Sequence, residues 1–353
     1  MSKRVTIDDV ARLAKVHKAT VSRALNEQTA DMVHGATAER VRQAARELGY
    51  VPNAMARALR VNVSMTIGIV VPDLMNPIFP PIVRGIERVL QPRGYTVLVA
   101  NTDGHADVEA AAIESLTRRR VDGFILATGR LDDEQSLAAA HADGIHVVMV
   151  NREAAAGAPY PSVSGDNTAG VALSLDHLLE LGHTRLLYLA GPQNYSTTRS
   201  RAIAFQSLVR GRNGLTTSVV EVGELTAEAG SAAMDRVLSS PGPLPTAVLA
   251  GNDLVALGVL RSVRRHGLRC PEDISVVGFN DMTFAEDFCP PLTTVHLPLV
   301  DIGAEAARIL LAGIEDGEPR RSTVELPVSL VVRKSTGPAP RSHVGSLEQG
   351  AAE

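Results

Sequence analysis

His17–Asn26 reads HKATVSRALN. Val21, Ala24 and Leu25 fall at i, i+3 and i+4, so a helix here has one narrow apolar face. At 100° per residue Ala19, Arg23 and Asn26 point away from that face, with Ser22 on its flank and Lys18 near the N-terminal end. Basic and hydroxyl side chains on the outer face suit either an ordinary solvated helix or one made to lie against something acidic. The neighbouring segments decide between these. Upstream, VTIDDVARLAKV (5–16) predicts a helix with Thr6 as N-cap, Asp9 completing a capping box, Val5 and Val10 as a hydrophobic staple, and Val10, Leu13 and Ala14 turned inward. Only a few residues separate the two helices, which is the spacing of a helix-turn-helix, whose second helix enters the major groove. In that setting Arg23 matches guanine O6 and N7 as a fork. Lys18 reaches a base or phosphate, and Thr20, Ser22 and Asn26 suit phosphates or base edges. Downstream, TAERVRQAARELGY (37–50) predicts a third helix with Thr37 as N-cap, Val41, Ala44, Ala45 and Leu48 buried, and Gly49 as its stop.

The charge pattern agrees. The 353 residues carry a net charge of −4, but residues 1–62 hold 11 Lys+Arg against 6 Asp+Glu, leaving a basic head on an acidic remainder. Such asymmetry points to a head that meets a polyanion. Two cysteines, Cys270 and Cys289, in no paired spacing argue against a disulfide framework or a zinc site and for reduced thiols. The start MSKRVTIDDV has no apolar run behind its basic residues and no stretch has the length of a membrane span, so a cytoplasmic protein is expected.

After the head, YVPNAMARALR (50–60) places a Pro-Asn helix start before a short alanine-rich segment ending in Leu59 and Arg60. The two segments 5–26 and 49–60 together resemble the DNA-binding head and hinge helix of the lactose/galactose-repressor family of bacterial transcription regulators. The resemblance implies DNA contacts from Thr6, Lys18, Ala19, Thr20, Ser22, Arg23 and Asn26, and from Asn53, Ala56, Arg57, Leu59 and Arg60 in the hinge. It places Leu59 as a minor-groove wedge, Ala56 at the close contact of two hinge helices, and Arg57 and Arg60 beside phosphates. Two departures stand out: the family usually has serine where His17 caps the recognition helix, and EQTADMVHGA (27–36) is about two residues longer than usual.

From Thr66 onward, apolar strands such as TIGIVV, DGFILAT, HVVMVN, RLLYLAGP, TAVLAGN and ISVVGFN alternate with amphipathic helices, among them Phe79 to Leu90 and Asp107 to Arg120. Continuous apolar strands between helices predict parallel sheets covered on both faces. Two such sets predict two doubly wound lobes that bind a ligand beyond the C-terminal strand ends. No GxGxxG or GxxxxGK[ST] follows these strands, so nucleotide phosphate binding has no support. This body resembles the periplasmic sugar-binding-protein fold that the same family carries as its effector domain, through MNPIFP, VVMVNR, GDNTAG, TTRSRAIAF, AGNDLVALG, VVGFND and PPLTTVHLP in that order.

The expected architecture is multidomain. An all-α three-helix helix-turn-helix head (1–51) and a hinge helix with linker (52–64) precede an α/β periplasmic-binding-protein-like effector and dimerisation domain (65–334). Lobe 1 takes 65–163 and 292–321, lobe 2 takes 164–291 and 322–334, with a last strand near 324–332 in lobe 2, and 335–353 form a disordered tail. Effector candidates at strand ends are Asn76, Phe79, Asn151, Arg152, Arg201, Asn252 and Asn280, whose amides and guanidinia suit sugar hydroxyls while Phe79 offers a ring face. Asn252 is read as a ligand and Asp253 as a helix cap. Sugar-binding relatives commonly carry carboxylates where this chain has Asn151 and Asn280, which favours a sugar acid over a neutral sugar. His177, His183 and His296 are read as structural. No cofactor, metal or catalytic group is expected. The reading is a DNA-binding transcriptional repressor, a homodimer on a pseudo-palindromic operator, controlled by a sugar or sugar acid. The alternative is a cytoplasmic sugar-processing enzyme or a sugar-binding protein without specific DNA readout, and the absence of a nucleophile elbow or acid/base pair counts against the enzyme.

Overall fold

The computed structural model describes residues 5–25, 29–50, 63–129, 144–153, 160–317 and 322–340. The chain divides into two compact units, Met1–Ser64 and Met65–Glu353. Asn26 and the hinge positions Asn53, Ala56, Arg57, Leu59 and Arg60 lie outside the described residues, as does the helix expected after DGFILAT.

In the first unit α1 (Ile7–Ala14), α2 (Lys18–Ala24) and α3 (Gly35–Leu48) surround a core of small residues: Val10, Ala11, Ala14, Val21, Ala24, Ala38, Val41, Ala44 and Ala45. The backbone N–H and hydroxyl of Thr6 both donate to Asp9 Oδ2, at 3.0 and 2.7 Å, which ties down the start of α1. Lys15 adopts the left-handed conformation (φ 54°) and turns the chain from α1 towards α2. Two expectations are corrected. Leu13 is 47 % exposed, and Ala11 takes its place inside. The buried arc of α1 centres between Val10 and Ala11, and helical geometry sets Leu13 about 110° from that centre. The third helix begins at Gly35, not after Thr37, whose N–H already bonds to His34 O at 2.8 Å. Gly49, in the left-handed conformation, ends it as expected.

The second unit holds two six-stranded sheets. The first, in the order β11-β5-β4-β3-β1-β2, is built from β1 (Thr66–Val71), β2 (Thr96–Asn101), β3 (Gly123–Leu126), β4 (His146–Val150), β5 (Ser162–Gly165) and β11 (Thr323–Leu326), all parallel. The second, in the order β12-β10-β9-β8-β6-β7, uses β6 (Arg185–Ala190), β7 (Thr216–Glu221), β8 (Ala247–Ala250), β9 (Ser275–Asn280), β10 (Thr293–His296) and β12 (Ser329–Val331). Only β12 runs antiparallel to its neighbour. Helices α4 (Phe79–Leu90), α5 (Ala106–Arg118) and α10 (Leu299–Asp316) accompany the first sheet in sequence and contact; α6 (Asn167–Glu180), α7 (Ser196–Val209), α8 (Ala227–Ser239) and α9 (Asp253–Arg265) belong with the second. Each lobe has one helix pair held at contact distance by glycines. A Cβ on Gly85 or Gly303 would meet the Val300 or Ile82 carbonyl oxygen at 1.9 or 2.0 Å, and one on Gly230 or Gly258 would meet that of Val255 or Ala227 at 2.4 or 2.0 Å.

The chain crosses between lobes after β5, after β10 and between β11 and β12. This moves two expected boundaries. Leu292–His296 stays in the second lobe, with β10 beside β9, and the single strand expected near 324–332 is two strands, one in each sheet. β10 is buried on both faces and β11 and β12 are short and half-exposed, and in neither case does periodicity say which sheet a strand joins. The tail is corrected as well. Residues 335–340 form a strap across the second lobe: Val276 N–H donates to Ser335 O (2.8 Å), Thr293 N–H to Ser335 Oγ (2.8 Å), Gly337 N–H to Ser275 Oγ (3.1 Å) and Ala339 N–H to Leu181 O (2.8 Å).

Candidate DNA-reading face and effector cleft

On α2 the inward row is Val21 and Ala24, while Lys18, Ala19 and Arg23 are exposed and Thr20 and Ser22 half-buried. The imidazole of His17 caps the helix, Nδ1 accepting the Ala19 N–H at 3.2 Å, so the departure from serine keeps a cap. Two of the three arginines of α3 are spoken for, since Glu39 pairs with Arg46 at 2.9 Å and Arg42 at 3.3 Å. These two guanidinia hold the Glu39 carboxyl below its usual range. Lys18 and Arg23 form no ion pair among the described residues, so the charge of α2 stays open to a partner. Thr6 is occupied differently, its hydroxyl already given to Asp9.

In the second unit Asn151, Arg152, Asn252 and Asn280 sit at the C-terminal ends of parallel strands, where peptide ends and loops converge. Asn151 follows β4 with φ 62°, and Asn280 ends β9 with φ 120°. Both are buried, at 6 % and 5 % exposure, and neither side-chain amide makes a hydrogen bond among the described residues. Buried polar groups are ordinarily paired, so two open amides at strand ends mark a place built for something else to fill. Arg152 donates from Nη1 to Thr128 O at 2.7 Å, and its guanidinium lies 3.7 Å over the ring of Tyr195 in the other lobe. The next N–H, of Glu153, donates to Ser196 Oγ at 2.8 Å, a second bond across the lobes.

Arg201, on α7, is 4 % exposed. Its Nε donates to Asn167 Oδ1 (2.7 Å), its Nη1 to Gly251 O (2.8 Å), and its plane lies 3.6 Å over Phe279. Burial pulls it down to about 10, still charged near neutrality. Asn76 is half-buried, Oδ1 accepting the Ile78 N–H at 3.3 Å.

Two readings change. Phe79 is 2 % exposed within the apolar core and leaves almost no ring for a sugar to stack on. A helix-start phenylalanine on an apolar face packs inward. Asn252, and not Asp253, caps α9: its Oδ1 accepts the Val255 N–H at 2.8 Å and its Nδ2 donates to Leu225 O at 3.3 Å. Asp253 instead accepts from Met282 N–H (2.8 Å) and Thr294 Oγ1, tying α9 to the loop after β9 and to β10, and burial pushes its acid up to about 6. Tyr195, Ser196 and Asn167 join the cleft without having been expected there. NYSTTRSR carried the signal for Tyr195, an aromatic residue just before a helix that begins at a strand end.

Comparison with known proteins follows the same division. Residues 6–53 match the bacterial regulatory proteins of the lacI family, and residues 175–336 match the periplasmic binding protein-like domain. The HTH-type transcriptional repressor CytR of Escherichia coli K12 is 35 % identical over 95 % of this chain and 97 % of its own length. The ribose operon repressor of Halalkalibacterium halodurans is 34 % identical over 94 % and 97 %. Among solved structures, a lac repressor dimer bound to operator and an anti-inducer superposes with a TM-score of 0.83 at 30 % identity, covering 95 % of this chain and all of that one. The chain belongs to the LacI family of bacterial regulatory proteins and is a DNA-binding transcriptional repressor, not an enzyme.

Proposed function

We propose that this repressor acts in the cytoplasm as a homodimer on a pseudo-palindromic operator, and that a sugar or sugar acid bound between its two lobes sets its affinity for DNA. Arg23 reads a guanine edge, Lys18 a base or phosphate, and Thr20, Ser22 and Asn26 the flanking phosphates or edges. Ala19 lies against the groove floor, and Thr6 and Asn53 lie beside phosphates. In the hinge Leu59 wedges a minor-groove step, Ala56 lets two hinge helices approach, and Arg57 and Arg60 hold phosphates. In the cleft Asn151, Arg152, Arg201 and Asn280 contact the effector, with Asn76 at its wall. Effector binding favours one relative orientation of the lobes, and that choice reaches the hinge.

The observation that carries the effector reading is the pair of buried, unpaired amides of Asn151 and Asn280 at strand ends of opposite lobes. The test is selection of sites from a random duplex pool by the full-length protein, with and without a panel of sugars and sugar acids. A recovered pseudo-palindrome whose occupancy changes with one of them is expected. A lone half-site would remove the dimer, and a site indifferent to every compound would remove the effector.

A further inference from the structure

The side chain of Arg201 is an ion without a counter-ion. Its two hydrogen bonds go to neutral acceptors, Asn167 Oδ1 and Gly251 O, its face is covered by Phe279, and Nη2 bonds to nothing among the described residues. Interior charges are ordinarily paired, because burial strips their hydration. The acid whose field reaches it, Asp253, has its oxygens engaged by Met282, Thr294 and Phe279. Of the other acids at the strand ends, Glu153, Asp166 and Glu325 stand at β4, β5 and β11 of the first lobe, Asp281 after β9 is held by Arg333 (2.7 Å) and His296 (3.0 Å), and none pairs with Arg201. Two open amides stand at strand ends of the same cleft: Asn280 directly follows Phe279, whose ring lies under the guanidinium, and Asn151 follows β4. Amides can bond a ligand but cannot neutralise a cation.

We propose that the effector supplies the missing charge: it is an anion, a sugar carboxylate or sugar phosphate, with its acid group on Arg201 Nη2 and its hydroxyls on Asn151 and Asn280. This rests on the reading that the cleft is the effector site, and it decides between the two effector classes that reading leaves open. A planar guanidinium with a free edge receives carboxylate or phosphate oxygens better than a single hydroxyl.

The test is a charge replacement in the full-length protein. Asn280→Asp is isosteric, and aspartate tolerates positive φ as asparagine does. It adds a fixed negative charge to the cleft, on the residue after the ring that lies under the guanidinium. Without ligand, the variant should unfold about 2–4 °C higher than wild type near neutral pH. That gain should vanish on acidification through the carboxylate range. At matched ionic strength, inorganic phosphate or acetate should raise the unfolding temperature of wild type above its value in chloride, and the variant should lose that increment. The basic head is identical in both proteins, so the difference isolates the cleft. An effect of phosphate alone assigns a phosphorylated effector, and an effect of both anions assigns a carboxylate. Asn151→Asp provides the same comparison should Asn280→Asp fail to fold. The proposal is overturned if both replacements destabilise the ligand-free protein, if wild type and variant respond equally to the anions, or if glucose stabilises wild type while neither anion does. Operator affinity measured in the same solutions keeps the two readings apart. Anion binding that leaves operator affinity unchanged removes the effector role and spares the charge assignment, and a neutral sugar that alone shifts it does the reverse.

Discussion

Arg23 stands exposed on α2 with no ion pair among the described residues, so its removal leaves the rest of the head intact. Arg23→Ala should weaken binding to the cognate duplex by about 1–3 kcal/mol and relax discrimination at one base pair, read by fluorescence anisotropy on a set of single-site operator variants. An equal loss on every sequence would instead make Arg23 a phosphate contact. Asn252 is the inverse case, a polar side chain whose work is internal. Asn252→Ala gives up the cap on α9 and the bond to Leu225 O and should cost about 0.5–2 kcal/mol of stability in urea unfolding, whereas Asn252→Asp, which keeps a capping oxygen, should cost less. The sequence shows why these two roles were harder to separate than that of Arg23. In GND both polar residues are good helix caps, and the one that caps is decided by where β8 ends and by Met282, just after β9, and Thr294 on β10 reaching Asp253, contacts distant in the chain. Arg201, in TTRSRAIAF, stands out as an effector candidate from its motif, but its lack of a counter-ion does not, because pairing is a property of space and not of spacing.

At the scale of elements, the glycines that bring α4 against α10 and α8 against α9 leave no room for a methyl group. Gly303→Ala would push a Cβ into the Ile82 carbonyl and force the helices apart, so a loss of about 1–3 kcal/mol and a matching fall in Tm are expected. Gly35→Ala, which meets nothing within 4 Å, is the control that should not fall. The strap over the second lobe makes a pH prediction. His183 is fully buried, its Nε2 bonded to Ser275 Oγ and Gly337 O at 3.0 Å, and burial lowers its pKa; His177, against Thr336 at 2.9 Å, is lowered for the same reason. With the folded value below the unfolded one, the unfolded chain takes up the proton first, so stability falls as pH drops below the ordinary imidazole value towards the folded one. Asp253, raised to about 6, acts in the opposite sense, gaining stability on acidification. The difference between wild type and His183→Gln therefore carries the prediction: the variant should have a lower Tm at pH 7 but a smaller relative loss between pH 7 and pH 5. Helix boundaries in this body were close to legible, since α4 runs over Phe79–Leu90 as its periodicity predicts. β5 escaped because Ser162 and Ser164 interrupt any apolar run, although all four of its residues are buried. The strap escaped because a Pro- and Gly-rich segment reads as solvent-loving wherever its backbone bonds are made.

For the molecule as a whole, charge separates two modes of DNA binding. The excess of basic residues before residue 63 predicts non-specific binding that weakens steeply as salt rises. Leu59→Ala should lower affinity for the operator while leaving that salt-dependent background largely in place, because the background rests on phosphate charge and the wedge does not. A filter or anisotropy titration at several salt concentrations distinguishes them, and parallel loss in both modes would remove the wedge. The two-lobed design itself was legible from alternating strands and helices, whereas the three crossings between lobes depend on which sheet each late strand joins. The strap has one more bearing on the whole. Ala339 bonds to Leu181, just ahead of β6, so Pro340 leaves the second lobe from the end where its parallel strands begin, opposite the strand ends that line the cleft. A fluorescent protein or a purification tag joined directly after Pro340 would thus start from the far pole of that lobe, away from the strand ends where the candidate effector residues lie.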